Sequence, residues 1–305
     1  VEYLQQPPNE SQAQAEALYN EEIALFQSSQ MQAALSKYEA ALSLFRTLDW
    51  RSWDGGTLSR IGNVYHWLGQ YSLASKSYQQ ALDYYQQTLA IYRDIGNQAQ
   101  EGDVLNQMGI AYGHLAQYEQ ALKYYLQALV LKRDSGDRNG EGAVLNNIAV
   151  VYNHVEQQQQ VLHYYLQALA IHREVGNQEY EGNTLNGIGL VYSELDRYQK
   201  ALNYLDQALT IKRKLGHRTS EGVILGNIGS VYNRLGQYQQ ALDYYQQALA
   251  FHRDFGNQGA EGSILNQMGT AYHHLKQCQQ ALESYQQALV IARETSNRLE
   301  EGAIL

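Results

Sequence analysis

The chain has 305 residues, 44% of them apolar, a formal net charge of −9 spread along its length, and a single cysteine, Cys278. One cysteine excludes an intrachain disulfide framework and a cysteine-rich zinc site, and without a Lys/Arg block neither a nucleic-acid surface nor a polybasic membrane patch is indicated. No apolar run approaches the ~18 residues of a membrane span and no signal-peptide pattern opens the chain, so a soluble, cytoplasmic protein is the expectation.

Residues 1–10 read as a tail that carries both prolines, Pro7 and Pro8. The 297 residues after Pro8 contain none. Proline costs roughly 3 kcal/mol inside a helix, so this favours long helices throughout. Residues 11–50 are predicted to form a divergent helical hairpin. Its core stripe is Met31, Ala34, Leu35, Tyr38, Ala41, Leu42 and Phe45, with Glu16, Glu21 and Glu22 elsewhere. A polar, atypical terminal unit reads as a cap.

A period then takes over. Glu-Gly recurs at Glu101-Gly102, Glu141-Gly142, Glu181-Gly182, Glu221-Gly222, Glu261-Gly262 and Glu301-Gly302, always 40 residues apart. Asp54-Gly55 is a weaker copy, 47 residues before the first. The period divides the chain into units 51–97, 98–137, 138–177, 178–217, 218–257 and 258–297. Residues 298–305 start a further helix, which suggests a fragment of a longer array or multidomain protein.

Unit 51–97 is longer than the others. Gly62 and Ala81 are 19 residues apart, against 12 between Gly109 and Ala121. The seven extra residues, around Tyr71 to Ser77, are about two helical turns, so the second helix is expected to be extended at its N-terminal end. Unit 138–177 is degenerate at its turn. Val155-Glu156-Gln157-Gln158 replaces the usual Leu-Gly-Gln-Tyr, and Val161 replaces a small alanine. A local shift in packing is expected there.

Unit 218–257 shows the pattern within a repeat. Leu225, Ile228, Gly229, Tyr232 and Leu235 follow steps of 3, 1, 3 and 3; Tyr238, Ala241, Leu242, Tyr245, Ala248 and Leu249 follow steps of 3 and 4 or direct neighbours. This is helical periodicity, not strand alternation. A turn is placed at Leu235-Gly236-Gln237. Gly256 suits a left-handed C-terminal cap and Asn257 an N-cap for the next helix. Gly96-Asn97, Gly136-Asp137, Gly176-Asn177 and Gly216-His217 repeat the device. The Glu that follows lies in a first turn, where negative charge is favourable.

The small and large residues Leu225, Ile228, Gly229, Tyr232, Ala241, Tyr245 and Ala248 resemble the signature of the tetratricopeptide repeat. Arg253 stands where that family has a later proline. The 40-residue length is similar to the arrays of kinesin light chain and of Pins-type polarity adaptors, and Leu145-Asn146-Asn147 is similar to the kinesin light chain pattern. The glutamine-rich wording looks like bacterial, especially cyanobacterial, arrays. The resemblance implies an all-α fold, a right-handed superhelical α-solenoid of antiparallel helix pairs. It also implies that the first helices line a concave surface.

The first helices can then be read for what the core does not need. At 100° per residue, Leu105, Met108, Gly109 and Tyr112 fall on the core side; Asp103, Asn106, Ile110, Gly113 and His114 fall opposite. The matching columns describe a groove. The first is Ser59, Asn106, Asn146, Asn186, Gly226 and Asn266; the second is Asn63, Ile110, Val150, Leu190, Ser230 and Thr270. The third is His66, Gly113, Asn153, Ser193, Asn233 and His273; the fourth is Trp67, His114, His154, Glu194, Arg234 and His274.

Asn is a mediocre helix former, and its amide carries both donors and an acceptor that suit an extended backbone. Ile110, Val150 and Leu190 would form an apolar floor. The candidate partner-binding set is therefore Asn63, His66, Asn106, Ile110, His114, Asn146, Val150, Asn153, His154, Asn186, Leu190, Asn233, Arg234, Asn266 and His274. The competing reading is that these residues pack against the adjacent unit, with some Asn bridging neighbouring helices. No column contains Lys, so a carboxylate clamp for chaperone tails is not expected.

Other constellations point to structure. The nine histidines include no HExxH pair, and His273 and His274 diverge by about 100° on a helix. No Gly-Lys-Ser/Thr occurs, and Gly187-Ile188-Gly189 lies inside a helical pattern. No nucleophile motif supports a Ser-His-Asp triad. Cys278 stands where other units have Tyr118, Tyr198 or Tyr238 and reads as a semi-buried turn residue. In pairs such as Tyr124-Tyr125, Tyr164-Tyr165 and Tyr244-Tyr245, one ring matches the buried aromatic of the repeat and the other is placed where two units meet. Arg93, Arg133, Arg173, Arg213, Arg253 and Arg293 end second helices, where a cation suits the helix dipole.

No catalytic, cofactor or metal site is expected, nor a nucleic-acid or membrane partner. The expected function is a protein-interaction scaffold that binds a partner peptide or helix in the groove. The alternatives are a regulatory module of a larger enzyme or signalling protein, and a self-associating array that docks through its uncapped C-terminal end.

Overall fold

The computed structural model describes residues 31–47, 51–67, 71–155 and 157–294. Among these residues there are thirteen helices and no strand. In chain order they are α1 (Met31–Thr47), α2 (Arg51–Trp67), α3 (Tyr71–Asp94), α4 (Gln98–His114), α5 (Tyr118–Asp134), α6 (Arg138–His154) and α7 (Gln158–Glu174). They continue as α8 (Gln178–Glu194), α9 (Tyr198–Leu215), α10 (Arg218–Arg234), α11 (Tyr238–Asp254), α12 (Gln258–His274) and α13 (Cys278–Glu294). The expected tail 1–10, the start of the first hairpin with Glu16, Glu21 and Glu22, and the further helix at 298–305 lie outside the described residues.

Packing is densest within each pair α2/α3, α4/α5 and so on, and next densest between adjacent pairs. The pairs are antiparallel: Gly102, early in α4, faces Leu131 late in α5, while Gly109 faces Tyr125 nearer the turn. This is an α-solenoid, whose core grows by one hairpin at a time. Successive first helices approach one another (α4 with α6, α6 with α8, α8 with α10, α10 with α12) more closely than successive second helices do. The array therefore curves with its first helices on the inside.

Local chemistry sets the helix ends. Gly96, Gly136, Gly176, Gly216 and Gly256 all take left-handed backbone, with φ from 61° to 71°. Asn97, Asp137, Asn177 and Asn257 then cap the next helix, each accepting from the backbone N–H three residues on. His217 makes no such side-chain bond. The turn inside each hairpin is less legible. Gly236 is left-handed there, but so are Ala116, Asp196 and Lys276, at φ 56° to 60°.

The long helix is as expected: α3 has 24 residues where α5 has 17. The insertion has a specific consequence at Tyr78. Its ring covers Gly62 of its own hairpin, its hydroxyl donates to Asn63 Oδ1 at 2.6 Å, and it stacks on His114 of the next hairpin at 4.5 Å. Unit 98–137 divides this work between Tyr125, over Gly109, and Tyr118, stacked on His154. Two extra turns let the following hairpin dock two turns further along α3.

Unit 138–177 keeps two helices of ordinary length. Its anomaly lies in the core. Tyr125, Tyr245 and Tyr285 each lie over the glycine of their own hairpin, at Gly109, Gly229 and Gly269. Ala149 occupies that position here, and the Tyr165 ring instead lies against Gly187 of α8. The packing shift is thus an exchange with the next unit.

The buried stripe of α1 comprises Ala34, Leu35, Tyr38, Ala41, Leu42 and Phe45. The core of the first helices is wider than the periodicity alone implies: Val104, Val144, Thr184, Ile224 and Ile264 are also buried. Each first helix is covered by hairpins on both sides, which broadens its apolar arc.

Candidate functional site

The candidate columns lie on successive first helices that touch, so residues 40 apart in sequence become neighbours on the inner face. Their side chains are not equally available.

The asparagine column is an inter-repeat ladder. Asn106 Oδ1 accepts from Asn147 Nδ2 at 3.1 Å, Asn146 Oδ1 from Thr184 Oγ1 at 2.9 Å, and Asn186 Oδ1 from Asn227 Nδ2 at 2.9 Å. These carbonyls are committed to the next unit. Among the described residues, Nδ2 of Asn106, Asn146 and Asn186 has no hydrogen-bond partner. Asn147 and Asn227, the donors, were not among the sequence candidates; the second Asn of Leu145-Asn146-Asn147 was their only trace.

The second column divides by chemistry. Where it is polar, it satisfies a tyrosine hydroxyl of the same hairpin. Tyr78 donates to Asn63, Tyr245 to Ser230 Oγ at 3.4 Å, and Tyr285 to Thr270 Oγ1 at 3.2 Å. Burial pushes the Tyr245 hydroxyl up to about 12, so it remains a neutral donor. Where the column is apolar it is partly open to solvent: Val150 is 39% exposed, and Ile110 and Leu190 are half-buried.

The third column holds the unpartnered groups. Asn153 and Asn233 are half-buried, and the Oδ1 atom of each is sealed without a hydrogen-bond partner among the described residues. A buried acceptor without a donor costs on the order of 1–3 kcal/mol, so a native one asks for a reason. Ser193, between them, is buried, and its carbonyl accepts from Arg234 Nη1 at 3.0 Å. The His66 side chain lies outside the described residues.

The fourth column joins hairpins. His114, His154 and His274 stack nearly parallel on Tyr78, Tyr118 and Tyr238 of the preceding unit, at 4.5, 4.9 and 4.6 Å. Glu194 is exposed. Asn266 is half-buried on the same face.

Two recurrent features prove structural. The arginine row pairs with the Glu of the next unit: Arg93 with Glu101, Arg133 with Glu141, Arg173 with Glu181 and Arg213 with Glu221 at 2.8 Å, and Arg253 with Glu261 at 2.7 Å. The tyrosine pairs need a correction. Tyr125, Tyr165 and Tyr245 are buried as expected, but Tyr124, Tyr164 and Tyr244 stack on Tyr112, Tyr152 and Tyr232 of their own hairpin, not between units. The antiparallel crossing puts positions 12 apart face to face, which helix periodicity alone does not reveal. Cys278 is exposed, so its expected partial burial is not observed. No described helix is long and apolar enough to cross a membrane.

A family model described as tetratricopeptide repeat matches residues 55–134, 136–214 and 220–296. A comparison with curated proteins finds no match. Among solved structures, the chain is similar to a Rap protein complexed with competence and sporulation factor, with TM-score 0.68 and 15% identity over 93% of this chain and 76% of that one. It is similar to NprR in complex with its cognate peptide NprX, with TM-score 0.56 and 18% identity over 81% of this chain and 72% of that one. It is also similar to kinesin light chain TPR-like repeats of Podosopora anserina, with TM-score 0.52 and 18% identity over 63% of this chain and 95% of that one. At these identities the likeness is one of fold.

Proposed function

The chain belongs to the tetratricopeptide repeat family, and from that premise we propose that it is a protein-interaction scaffold holding a partner peptide along its first helices. The observation that carries this reading is the apolar strip of Ile110, Val150 and Leu190 beside the uncommitted Nδ2 groups of Asn106, Asn146 and Asn186. A segment with main-chain carbonyl groups and apolar side chains complements both. The named Rap protein and NprR structures each hold a peptide or factor, which supports a peptide as the kind of partner. The reading assigns no reaction to the chain.

The structure changes which residues make the best test. Asn146 and Asn186 also join units, so their loss would confuse binding with stability. Peptides selected from a random display library on the wild-type protein serve as probes. Val150→Asp, and separately Leu190→Asp, should weaken the selected peptides about tenfold or more by calorimetry. Leu126→Asp, on an exposed outer position of α5, should leave affinity unchanged. Equal affinity for the groove variants and the wild type, with the fold intact, would reject the assignment.

A further inference from the structure

The glycine of each Glu-Gly pair marks where the start of a first helix meets the end of its own second helix. The side chain filling that crossing alternates along the array: Lys132 at Gly102, His172 at Gly142, Lys212 at Gly182 and His252 at Gly222. All four are buried, at 4, 0, 2 and 2% exposure.

The lysines reach partners. Lys132 Nζ donates to Asp103 Oδ1 at 2.5 Å and Asp137 Oδ2 at 2.8 Å. Lys212 Nζ donates to the Glu179 carbonyl at 3.0 Å. The histidines differ. Both ring nitrogens of His172 are sealed from solvent and make no full hydrogen bond among the described residues, although the Gly142 backbone lies near enough to favour the cation, and the ring stacks on Tyr180 of α8 at 5.3 Å. There is little slack, since a Cβ on Gly142 would lie 2.6 Å from His172 Cε1. The His252 ring is enclosed against Gly222 beside Phe251.

We propose that His172 and His252 make hairpins 138–174 and 218–254 acid-sensitive joints: neutral imidazoles keep the crossings closed, and protonation opens them, loosening the array at two places. This does not depend on what the groove binds.

The surrounding charges cannot readily take up a new cation. Around His172, Glu141 of α6 is held by Arg133 and Arg138, Glu181 of α8 by Arg173, and Glu174 of its own helix by Arg138. Around His252, Glu221 of α10 is held by Arg213 and Glu261 of α12 by Arg253, while Arg218 lies over the Phe251 ring. Arg173 and Arg253 are the adjacent cations on the histidines' own helices, and Asp254 follows Arg253. Burial holds both histidines below the usual imidazole range. It outweighs the Gly142 backbone and Glu181 at His172, and outweighs Glu261 at His252, which lies at about 4. An unfolded imidazole takes its proton near 6.5. The folded form thus binds fewer protons over this interval. The stability contributed by the neutral rings is complete above pH ~6.5 and is lost as pH falls toward 4.

Circular-dichroism melts of the whole chain at pH 7.5 and 5.0 test this, with His172→Leu plus His252→Leu as the variant. The wild-type melting temperature should fall by about 5 °C more than that of the variant across the interval. An equal fall in both would overturn the proposal. If the variant does not fold, wild-type hydrogen exchange, corrected for its intrinsic pH dependence, decides. Protection should be lost first in 138–174 and 218–254 while 98–134, held by Lys132, persists. Uniform loss, or loss beginning elsewhere, would overturn it.

Discussion

Gly187 and Ala149 show how much one methyl group decides. Ala149 stands where other hairpins have glycine, and the Tyr165 ring lies over Gly187 of the next unit instead. A Cβ at Gly187 would come within 2.5 Å of Tyr165 Cζ. Gly187→Ala should therefore destabilise by roughly 1–3 kcal/mol through overpacking. Adding Ala149→Gly should recover part of that loss, because it reopens the place used by the other tyrosines. A double-mutant cycle in urea measures both effects, and strict additivity would refute the exchange. Val161 was visible as a departure from the period. That it accompanies a redirected ring was not, because Tyr165 and Gly187 lie on different helices.

At the scale of the element, helix boundaries follow from caps and turns. The glycines ending second helices and the Asn or Asp that follow were readable because each residue type has one mechanical use there. The turn inside the hairpin was readable only at Gly236. Ala116 takes φ 57° without glycine's freedom, a conformation that costs an L-residue roughly 1 kcal/mol. Its amide donates to the Gly113 carbonyl at 2.9 Å, and Gln117 N–H donates to Tyr112, so the hairpin holds it there. Ala116→Gly should raise stability by roughly 0.5–1 kcal/mol in equilibrium unfolding. A loss of stability would mean that the side chain contributes packing that outweighs the strain. The same substitution at Gly236 is already present in the native chain, which makes that hairpin the internal comparison.

At the scale of the whole molecule, units must be held in register as well as formed. The Asn ladder crosses between first helices, and the Arg–Glu row crosses from each second helix to the next unit. The arginine pairs are half exposed on one side, so each is worth ~1 kcal/mol or less. Asn147→Ala with Asn227→Ala should cost about 1 kcal/mol per site. It should also broaden the unfolding transition, because weaker interfaces let hairpins unfold less cooperatively; an unchanged slope and midpoint would show the ladder to be idle. From the sequence by itself came the all-α class, the 40-residue unit and the longer second helix in 51–97. Each of these depends on spacing along one chain or one helix, and spacing is what a sequence records. Only the tertiary structure decided which amides of the first helices are committed to neighbours, which tyrosine fills which glycine, and which buried lysines and histidines have partners. Those outcomes depend on distances between different helices, where an ångström of approach separates a bonded carbonyl from a sealed and unpartnered one.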